Sequence, residues 1–345
     1  MGLKLFSSAT HACKTCGYRV SRCLASNQNF AIIFWFQRIC AISAKLGMQI
    51  ISPMMLAIGF VLIFAVVYVY FRHLLHKIAS NNIMRIAHVA VGVYILVNIL
   101  FNYITCVRTP PGTPDICDDP AKYLGFSYVI NDGRRLDTVN QYLRVAPGVK
   151  YKYCIYCRCI KPPRAHHCSI TGKCILNMDH FCPWMNNCIG YYNYRYFLLF
   201  LVWLSIGVTY LMAISFRPFL DLRPGRRMHK IKVSDFLASE ANGIVYAFTI
   251  GISIFIAVGI LLGWHVYLTI TNQTTLEFYI NMDERSDAKS RGEVYKNPYD
   301  RGWRKNFLRV FGDVPWYKAI LMSYRLPIEP EYPFLPEPFS NANKV

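Results

Sequence analysis

Charged side chains are scarce in this chain of 345 residues. Asp, Glu, Lys and Arg together make up 17% of it, whereas 54% of the residues are hydrophobic and 15% are aromatic. This composition favours a membrane protein over a pair of soluble domains. The shortage of charge is uneven, because four long stretches contain no Asp, Glu, Lys or Arg at all.

Each uncharged stretch can cross roughly 30 Å of hydrocarbon as a helix. They are residues 48–71, 86–107, 196–216 and 243–270. The predicted fold class is therefore an α-helical polytopic membrane protein with four transmembrane helices. The near-absence of polar groups inside these stretches disfavours a transporter. Only His88 and His265 are ionisable there, and we expect structural roles for both because each lies near a predicted helix end.

Acidic residues are missing from the start of the chain. Residues 1–47 contain six Lys or Arg and no Asp or Glu, which indicates a cytosolic flank beside anionic lipid. A secretory signal is not expected, since no apolar core follows Lys4 closely. Cys13 and Cys16 form a lone C-x-x-C pair, which is weak evidence for a metal site.

Cysteine, by contrast, is concentrated in one short stretch, because seven of the thirteen cysteines lie within residues 154–190. The spacing supplies three thiolates and an imidazole, typical of a closed structural zinc site, from Cys154, Cys157, His167 and Cys174. The alternative is a disulfide cluster, which requires an oxidising compartment and a secreted chain. The hydropathy favours zinc, in a cysteine-rich domain between the second and third helices.

A second motif overlaps the metal pattern. In Asp179-His180-Phe181-Cys182 the imidazole can act as a base toward the thiol, and the aspartate can orient the imidazole. The segment continues as PWMNNCIG over residues 183–190. Together these residues resemble the cysteine-rich domain of the DHHC zinc-finger protein S-acyltransferases, or palmitoyltransferases. The resemblance implies that Cys182 is the acyl-accepting nucleophile, His180 its general base and Asp179 the orienting acid.

The chain departs from the family pattern at two positions. Phe181 replaces the usual second histidine, and Thr171 replaces a cysteine. In the family these positions form a second zinc site with the ones filled here by Cys168 and Cys188. We expect that this site was lost as a unit, so that the chain binds one zinc where the family binds two.

Motifs outside the cysteine-rich domain extend the resemblance over about residues 48–312. Residues 109–114 contain Pro-Pro-Gly where the family usually has Asp-Pro-Gly, as in one endoplasmic-reticulum branch. Thr274 and Thr275 begin a TTxE motif, whose threonines approach the catalytic aspartate in the family. Asn306 belongs to a segment similar to the family's C-terminal Asn-aromatic motif.

The basic balance offers partners for an anionic substrate. The formal net charge is +19, and 12 Lys or Arg lie between Val107 and Tyr196. The expected co-substrate is acyl-CoA, and the candidates for its phosphates are Arg158, Lys161, Arg164 and Lys173. Anionic lipid or a positive-inside bias explains the same charge. Nucleic-acid binding is disfavoured because the zinc cluster lies between membrane spans.

The predicted organisation has five parts. They are a basic cytosolic segment (1–47), the first two helices (48–107), the cytosolic cysteine-rich domain (108–195), the last two helices with a lumenal loop 217–242 (196–270), and a cytosolic C-terminal segment (271–345). The six Lys or Arg of the loop argue against this topology. Reduced thiolates and zinc favour it, because both belong on the cytosolic side.

The predicted function is transfer of a long-chain acyl group, palmitoyl, from acyl-CoA to Cys182 and then to cysteines of membrane-associated proteins. The expected location is the endomembrane system, the endoplasmic reticulum and also the Golgi. The alternative is a weak or inactive DHHC-like membrane scaffold that keeps one structural zinc. Phe181 raises this alternative, whereas the complete set of Asp179, His180 and Cys182 speaks against it.

Overall fold

Helices make up most of the described residues in a computed structural model, which describes residues 28–114, 152–222 and 239–321. They are α1 (Gln28–Val69), a π-helical turn (Tyr70–Leu74), α2 (Leu75–Ile78), α3 (Asn82–Arg108), α4 (Tyr194–Leu220), α5 (Glu240–Ile270), α6 (Thr275–Ser290), α7 (Trp303–Phe311) and α8 (Trp316–Leu321). Parts of the predicted N-terminal segment, lumenal loop and C-terminal segment lie outside the described residues, as does the Cys13–Cys16 pair. The chain divides into two compact units, Met1–Ile51 and Ser52–Val345, and the contacts reported below lie within the second.

Among the described residues, four helical stretches are long and apolar enough to cross a membrane. They are Lys45–Ile78, Asn82–Arg108, Tyr194–Leu220 and Glu240–Ile270. Large apolar side chains point outward from them, and the side chains of Val61 and Ile260 are 65% and 71% exposed, as lipid-facing residues are. The expectation of an α-helical membrane protein with four spans is confirmed.

Small residues let these helices approach one another closely. A Cβ added at Gly59 of α1 would lie 2.5 Å from the Tyr103 hydroxyl of α3. A Cβ added at Gly207 of α4 would lie 3.1 Å from Ile95 and Ile99 of α3. Close backbone approach of this kind is how helices pack in lipid, where the hydrophobic effect contributes little between spans.

The cysteine-rich region between α3 and α4 forms three short antiparallel hairpins. Their strands are β1 (Lys152–Cys154), β2 (Cys159–Lys161), β3 (His166–Cys168), β4 (Lys173–Ile175), β5 (His180–Cys182) and β6 (Asn187–Ile189). Isolated two-stranded hairpins are marginally stable at best in water. A metal that cross-links them therefore supplies stability that so small a sheet lacks.

Two asparagines tie the hairpins to the end of α3. The Asn187 side chain donates to the carbonyls of Cys106, Val107 and Thr109 at 3.3, 3.3 and 3.0 Å, which satisfies carbonyls that a helix end leaves free. Asn193 donates to the Thr109 carbonyl at 3.3 Å and to the Cys188 carbonyl of β6 at 2.8 Å. The cysteine-rich region is thus anchored directly on the second span.

The Pro-Pro-Gly segment continues this anchor. The carbonyls of Pro111 and Gly112 accept hydrogen bonds from the backbone amides of Tyr192 at 3.3 Å and Leu176 at 2.9 Å. Gly112 has a φ of +98°, and a Cβ there would lie 2.8 Å from the Tyr192 ring. Glycine is therefore required at this position by both its backbone conformation and the close approach.

The C-terminal helices pack back onto the last two spans. The Asn306 side chain donates to the Ile270 carbonyl, where α5 ends, and to Asp300, both at 2.7 Å. The Trp203 indole of α4 donates to the Ile320 carbonyl of α8 at 3.1 Å. These contacts hold the segment after α5 close to the end of the membrane helices that carries the cysteine-rich region.

Candidate active site

The four predicted zinc ligands come together. One ligand atom from each of Cys154, Cys157, His167 and Cys174 lies within 4.8 Å of the others. His167 and Cys174 face each other across the β3–β4 pair, and the Cys157 Sγ lies 3.2 Å from the His167 Nδ1. Three thiols and one imidazole in this arrangement fit a tetrahedral zinc ion. Cys159 is disulfide-bonded, so its sulfur is not a substitute ligand.

The predicted catalytic residues are aligned in a chain. The His180 Nδ1 lies 2.6 Å from the Asp179 Oδ2, and Cys182 lies two residues after His180 at the other end of strand β5. Asp179 and Cys182 are buried, with 1% and 6% of their surface exposed. The arrangement matches an acid that orients a base and a base that deprotonates a nucleophile.

The electrostatics of the site favour a protonated imidazole at His180. Burial alone lowers the pKa of His180, but the hydrogen bonds to Asp179 and to Cys182 outweigh burial and raise this pKa to about 9. Burial likewise raises the pKa of Asp179, yet the bond from His180 and the Thr275 amide hold it below its usual value. A basic imidazole next to a thiol stabilises the thiolate.

The TTxE motif reaches this site from α6. The Thr275 amide donates to the Asp179 Oδ1 at 2.7 Å, and the Thr275 hydroxyl donates to the Oδ2 at 3.0 Å. Thr274 and Glu277 form a capping box at the start of α6, in which each side chain accepts from the other's backbone amide. The cap fixes the first turn of α6 and therefore the position of Thr275.

The two cysteines predicted to remain from a second zinc site lie together in an apolar cluster. Cys168 and Cys188 are 2% and 0% exposed and pack with Ile175, Met178 and Phe181. The hydrogen bond from Cys188 lowers the pKa of Cys168 to about 5 against the effect of burial, and the same bond, with burial, raises that of Cys188. Within the described residues, no third Cys, His, Asp or Glu joins this pair within ligand distance.

The CoA candidates occupy two kinds of position. Arg158 and Lys173 are exposed and Lys161 is half-buried. Arg164 is placed differently from the expectation, because it is 6% exposed and forms a two-pronged ion pair with Glu277. Its guanidinium also lies 4.5 Å from the centre of the Tyr299 ring. Since this cation is already neutralised and buried, it does not offer a site for a CoA phosphate.

His265 belongs to the site although a structural role was expected for it. It is 1% exposed, its ring centre lies 5.7 Å from that of His180, and it shares a cluster with Asp179 and His180. The Tyr194 hydroxyl lies 3.3 Å from its Nδ1. The one signal in the sequence was the rule that an ionisable residue inside a span is functional by default.

An apolar cavity opens from Cys182 into the membrane helices. Its volume is about 460 Å³. Cys182 and Tyr103 line it, as does Gly92, eleven residues before Tyr103 on α3, so it extends about 16 Å along that helix. Beyond Gly92, the Tyr210 hydroxyl lies 2.7 Å from the His88 Nδ1.

A deep apolar cavity with a buried thiol and its base at one end defines a class of protein, a membrane enzyme that handles a long apolar group through a cysteine. The profile of the DHHC palmitoyltransferase family matches residues 149–282. The chain is 31% identical over 268 residues to the probable protein S-acyltransferase 16 of Arabidopsis thaliana, which covers 76% of this chain and 84% of that protein. It therefore belongs to the DHHC palmitoyltransferase family.

Two vertebrate relatives match a shorter region. Palmitoyltransferase ZDHHC2 of Rattus norvegicus is 36% identical over 176 residues, which is 51% of this chain and 44% of that protein. Palmitoyltransferase ZDHHC15 of Xenopus laevis is 34% identical over 177 residues, which is 50% of this chain and 46% of that protein. The similarity to these two relatives thus covers less than half of their length.

Proposed function

We propose that this protein transfers a long-chain acyl group, palmitoyl, from acyl-CoA to Cys182 and from there to cysteines of membrane-associated proteins. The observation that carries the proposal is the chain of hydrogen bonds from Thr275 through Asp179 to His180, with Cys182 two residues further along β5 at the mouth of an apolar cavity. Each buried methylene contributes about 0.8 kcal/mol. Binding of the acyl chain in the apolar cavity would therefore be favourable, and it would bring the thioester carbon close to the Cys182 thiol.

In the first half-reaction His180 takes the proton of the Cys182 thiol, and the thiolate attacks the thioester carbonyl carbon. The bond from that carbon to the CoA sulfur breaks, and CoA leaves as a thiol with the proton from His180. Asp179 holds the imidazole in the required tautomer and stabilises its positive charge. The product is an acyl-enzyme, so two-step, ping-pong kinetics are expected.

In the second half-reaction a cysteine of a substrate protein gives its proton to His180 and attacks the acyl-enzyme. The bond to the Cys182 sulfur breaks, and Cys182 recovers the proton. Because the thiol lies at the end of the membrane helices, the cysteines it can reach belong to proteins held at the same surface. Arg158, Lys161 and Lys173 remain candidates for the CoA phosphates, and zinc at the Cys3His site would hold the hairpins.

We propose further that the active site faces the cytosol of the endoplasmic reticulum or Golgi. Seven of the eight cysteines whose side chains are described form no disulfide, with Cys159 the exception, and reduced cysteines suit a reducing compartment. The Pro-Pro-Gly of residues 110–112 supports the endoplasmic-reticulum branch. The basic loop 217–242 opposes this orientation by the positive-inside rule, so the orientation needs its own test.

The test of the activity uses purified protein in detergent or vesicles with a labelled palmitoyl-CoA. We expect a hydroxylamine-sensitive adduct on the unmodified chain and none on Cys182→Ser. Cys188→Ser serves as the matched control, since it removes another buried thiol and should still be acylated. If the unmodified chain, folded and loaded with zinc, forms no adduct, the scaffold alternative is correct. An adduct that persists at another cysteine in Cys182→Ser would refute the assignment of the nucleophile.

A further inference from the structure

Arg164 is a buried cation of the cysteine-rich region with several hydrogen-bond partners. It lies in the turn between β2 and β3 with a φ of +66°. Its Nε and Nη2 donate to the two carboxylate oxygens of Glu277, both at 2.6 Å. Its Nη1 donates to the Asn272 side chain at 2.9 Å. This is the two-pronged geometry that a planar guanidinium provides and an ammonium group does not.

The carboxylate that Arg164 holds lies at the start of α6. The Glu277 Oε2 also accepts from the Thr274 amide at 2.9 Å. Thr275, the next residue, donates its amide and its hydroxyl to Asp179. Only three side chains therefore separate the buried guanidinium from the imidazole of His180.

We propose that Arg164 is a positioning residue of the acyl transfer, which holds Glu277 so that Thr275 keeps the Asp179 carboxylate aligned on His180. This inference rests on the proposed function. Arg164 touches none of the reacting atoms and acts only through α6. It also links the two halves of the site, because it precedes the zinc ligand His167 by three residues while its partner lies after the fourth span.

A misplaced base slows a reaction without weakening substrate binding. A displacement of about 1 Å can lower a rate on the order of 100-fold. Since Arg164 does not contact CoA in this arrangement, its loss should lower the maximal rate of acylation and leave the KM for acyl-CoA unchanged. If Arg164 bound a CoA phosphate, the KM would rise instead. A purely structural role would lower the folded fraction and leave the rate per folded molecule intact.

The test compares initial rates of acyl-enzyme formation with labelled palmitoyl-CoA, per folded molecule. The main variant combines Arg164→Met with Glu277→Gln, because removal of one partner alone would leave a buried charge unpaired and endanger folding. The glutamine keeps an acceptor for the Thr274 amide. The matched control is Arg309→Gln, which removes a cation that also bonds Asn272 but does not touch Glu277.

We expect the double variant to lose roughly 10- to 100-fold in maximal rate with an unchanged KM, and the Arg309 control to keep the full rate. Arg164→Lys keeps the positive charge but not the two-pronged geometry of the guanidinium. Its maximal rate should lie between those of the double variant and the Arg309 control, and it provides the measurement if the double variant does not fold. Addition of Thr275→Val to the double variant should slow it no further, since both act through the same contact with Asp179.

A full rate in the folded double variant, or in Arg164→Lys if only that variant folds, would overturn the inference. The inference would also be overturned if Thr275→Val slowed the double variant by the same factor by which it slows the unmodified chain. Arg164 and Thr275 would then affect the rate independently of each other. These results leave the proposed function standing, provided that the unmodified chain is acylated. If the unmodified chain is not acylated, the proposed function fails and the inference fails with it.

Discussion

The expected loss of a second zinc site allows a prediction in which one double substitution changes stability in opposite directions with and without metal. The perturbation is Thr171→Cys together with Phe181→His. The Thr171 hydroxyl already lies 3.9 Å from the Cys188 Sγ, and Phe181 faces Cys188 across the β5–β6 pair. With Cys168 in the same cluster, the two changes complete a Cys3His set.

The expected magnitudes follow from burial. Phe181 is half-buried among apolar side chains, so a histidine there loses apolar contact and brings a polar ring into that environment, at a cost on the order of 1–3 kcal/mol. Thr171 is exposed, and its change should stay within about 0.5 kcal/mol. Zinc at about 100 times its dissociation constant stabilises the folded state by about 2.7 kcal/mol, and at about 1,000 times by about 4.1 kcal/mol.

The double variant should therefore unfold at a lower temperature than the unmodified chain in chelator and at a higher one in buffered zinc. The chelator also strips the Cys154 site of both proteins, so the relevant quantity is the difference in Tm between them under each condition. Elemental analysis should give about one zinc for the unmodified chain and about two for the double variant. Each single variant should gain less, because three ligands make an open site.

Two zinc ions in the unmodified chain would show that other residues complete the second site. A double variant that binds no second zinc, while folded, would refute the view that the remaining ligands are still held in position. In that case the side chains around Phe181 would have repacked, and Cys168 and Cys188 would no longer be held in metal-binding positions.

Further predictions concern the base, the pH and the topology. His180→Ala should slow acylation by a factor on the order of 100, as loss of a positioned base does, and an unchanged rate would mean that the thiolate is activated otherwise. The raised pKa of His180, from 6.5 to about 9, stabilises the fold below about pH 6.5, and this contribution is lost as the pH rises through about 9. Between pH 6.5 and 9 the Tm of the unmodified chain should therefore fall more than the Tm of His180→Ala. Equal falls would show that the pKa of His180 is not raised in the folded protein. A sequon placed in the loop 217–242 should be glycosylated if the loop is lumenal, and an unmodified loop with a glycosylated C-terminal tail would invert the topology. Asn272 should carry no glycan on either side, because its amide donates to the Tyr299 carbonyl at 2.6 Å in the folded chain.

Local patterns were enough to predict the spans and the convergence of the three cysteines and one histidine of the Cys3His cluster. A stretch of 21 or more uncharged residues has one stable outcome, a helix in lipid, whatever the rest of the chain does. Cys154 and Cys157 lie three residues apart, so a tight turn presents both thiols to one metal. The order of Asp179, His180 and Cys182 also places the acid, the base and the nucleophile within one short hairpin.

Contacts between distant parts of the chain could not be predicted in this way. His265 follows His180 by 85 residues and Glu277 follows Arg164 by 113, and no periodicity relates such positions. Composition counts Arg164 as one more cation, whereas its partner decides whether that cation faces a ligand or is neutralised inside the protein. The sequence by itself determined which chemical groups are present and which segments cross the membrane. Only the tertiary structure decided which of those groups meet, because burial and pairing depend on how separate segments pack together.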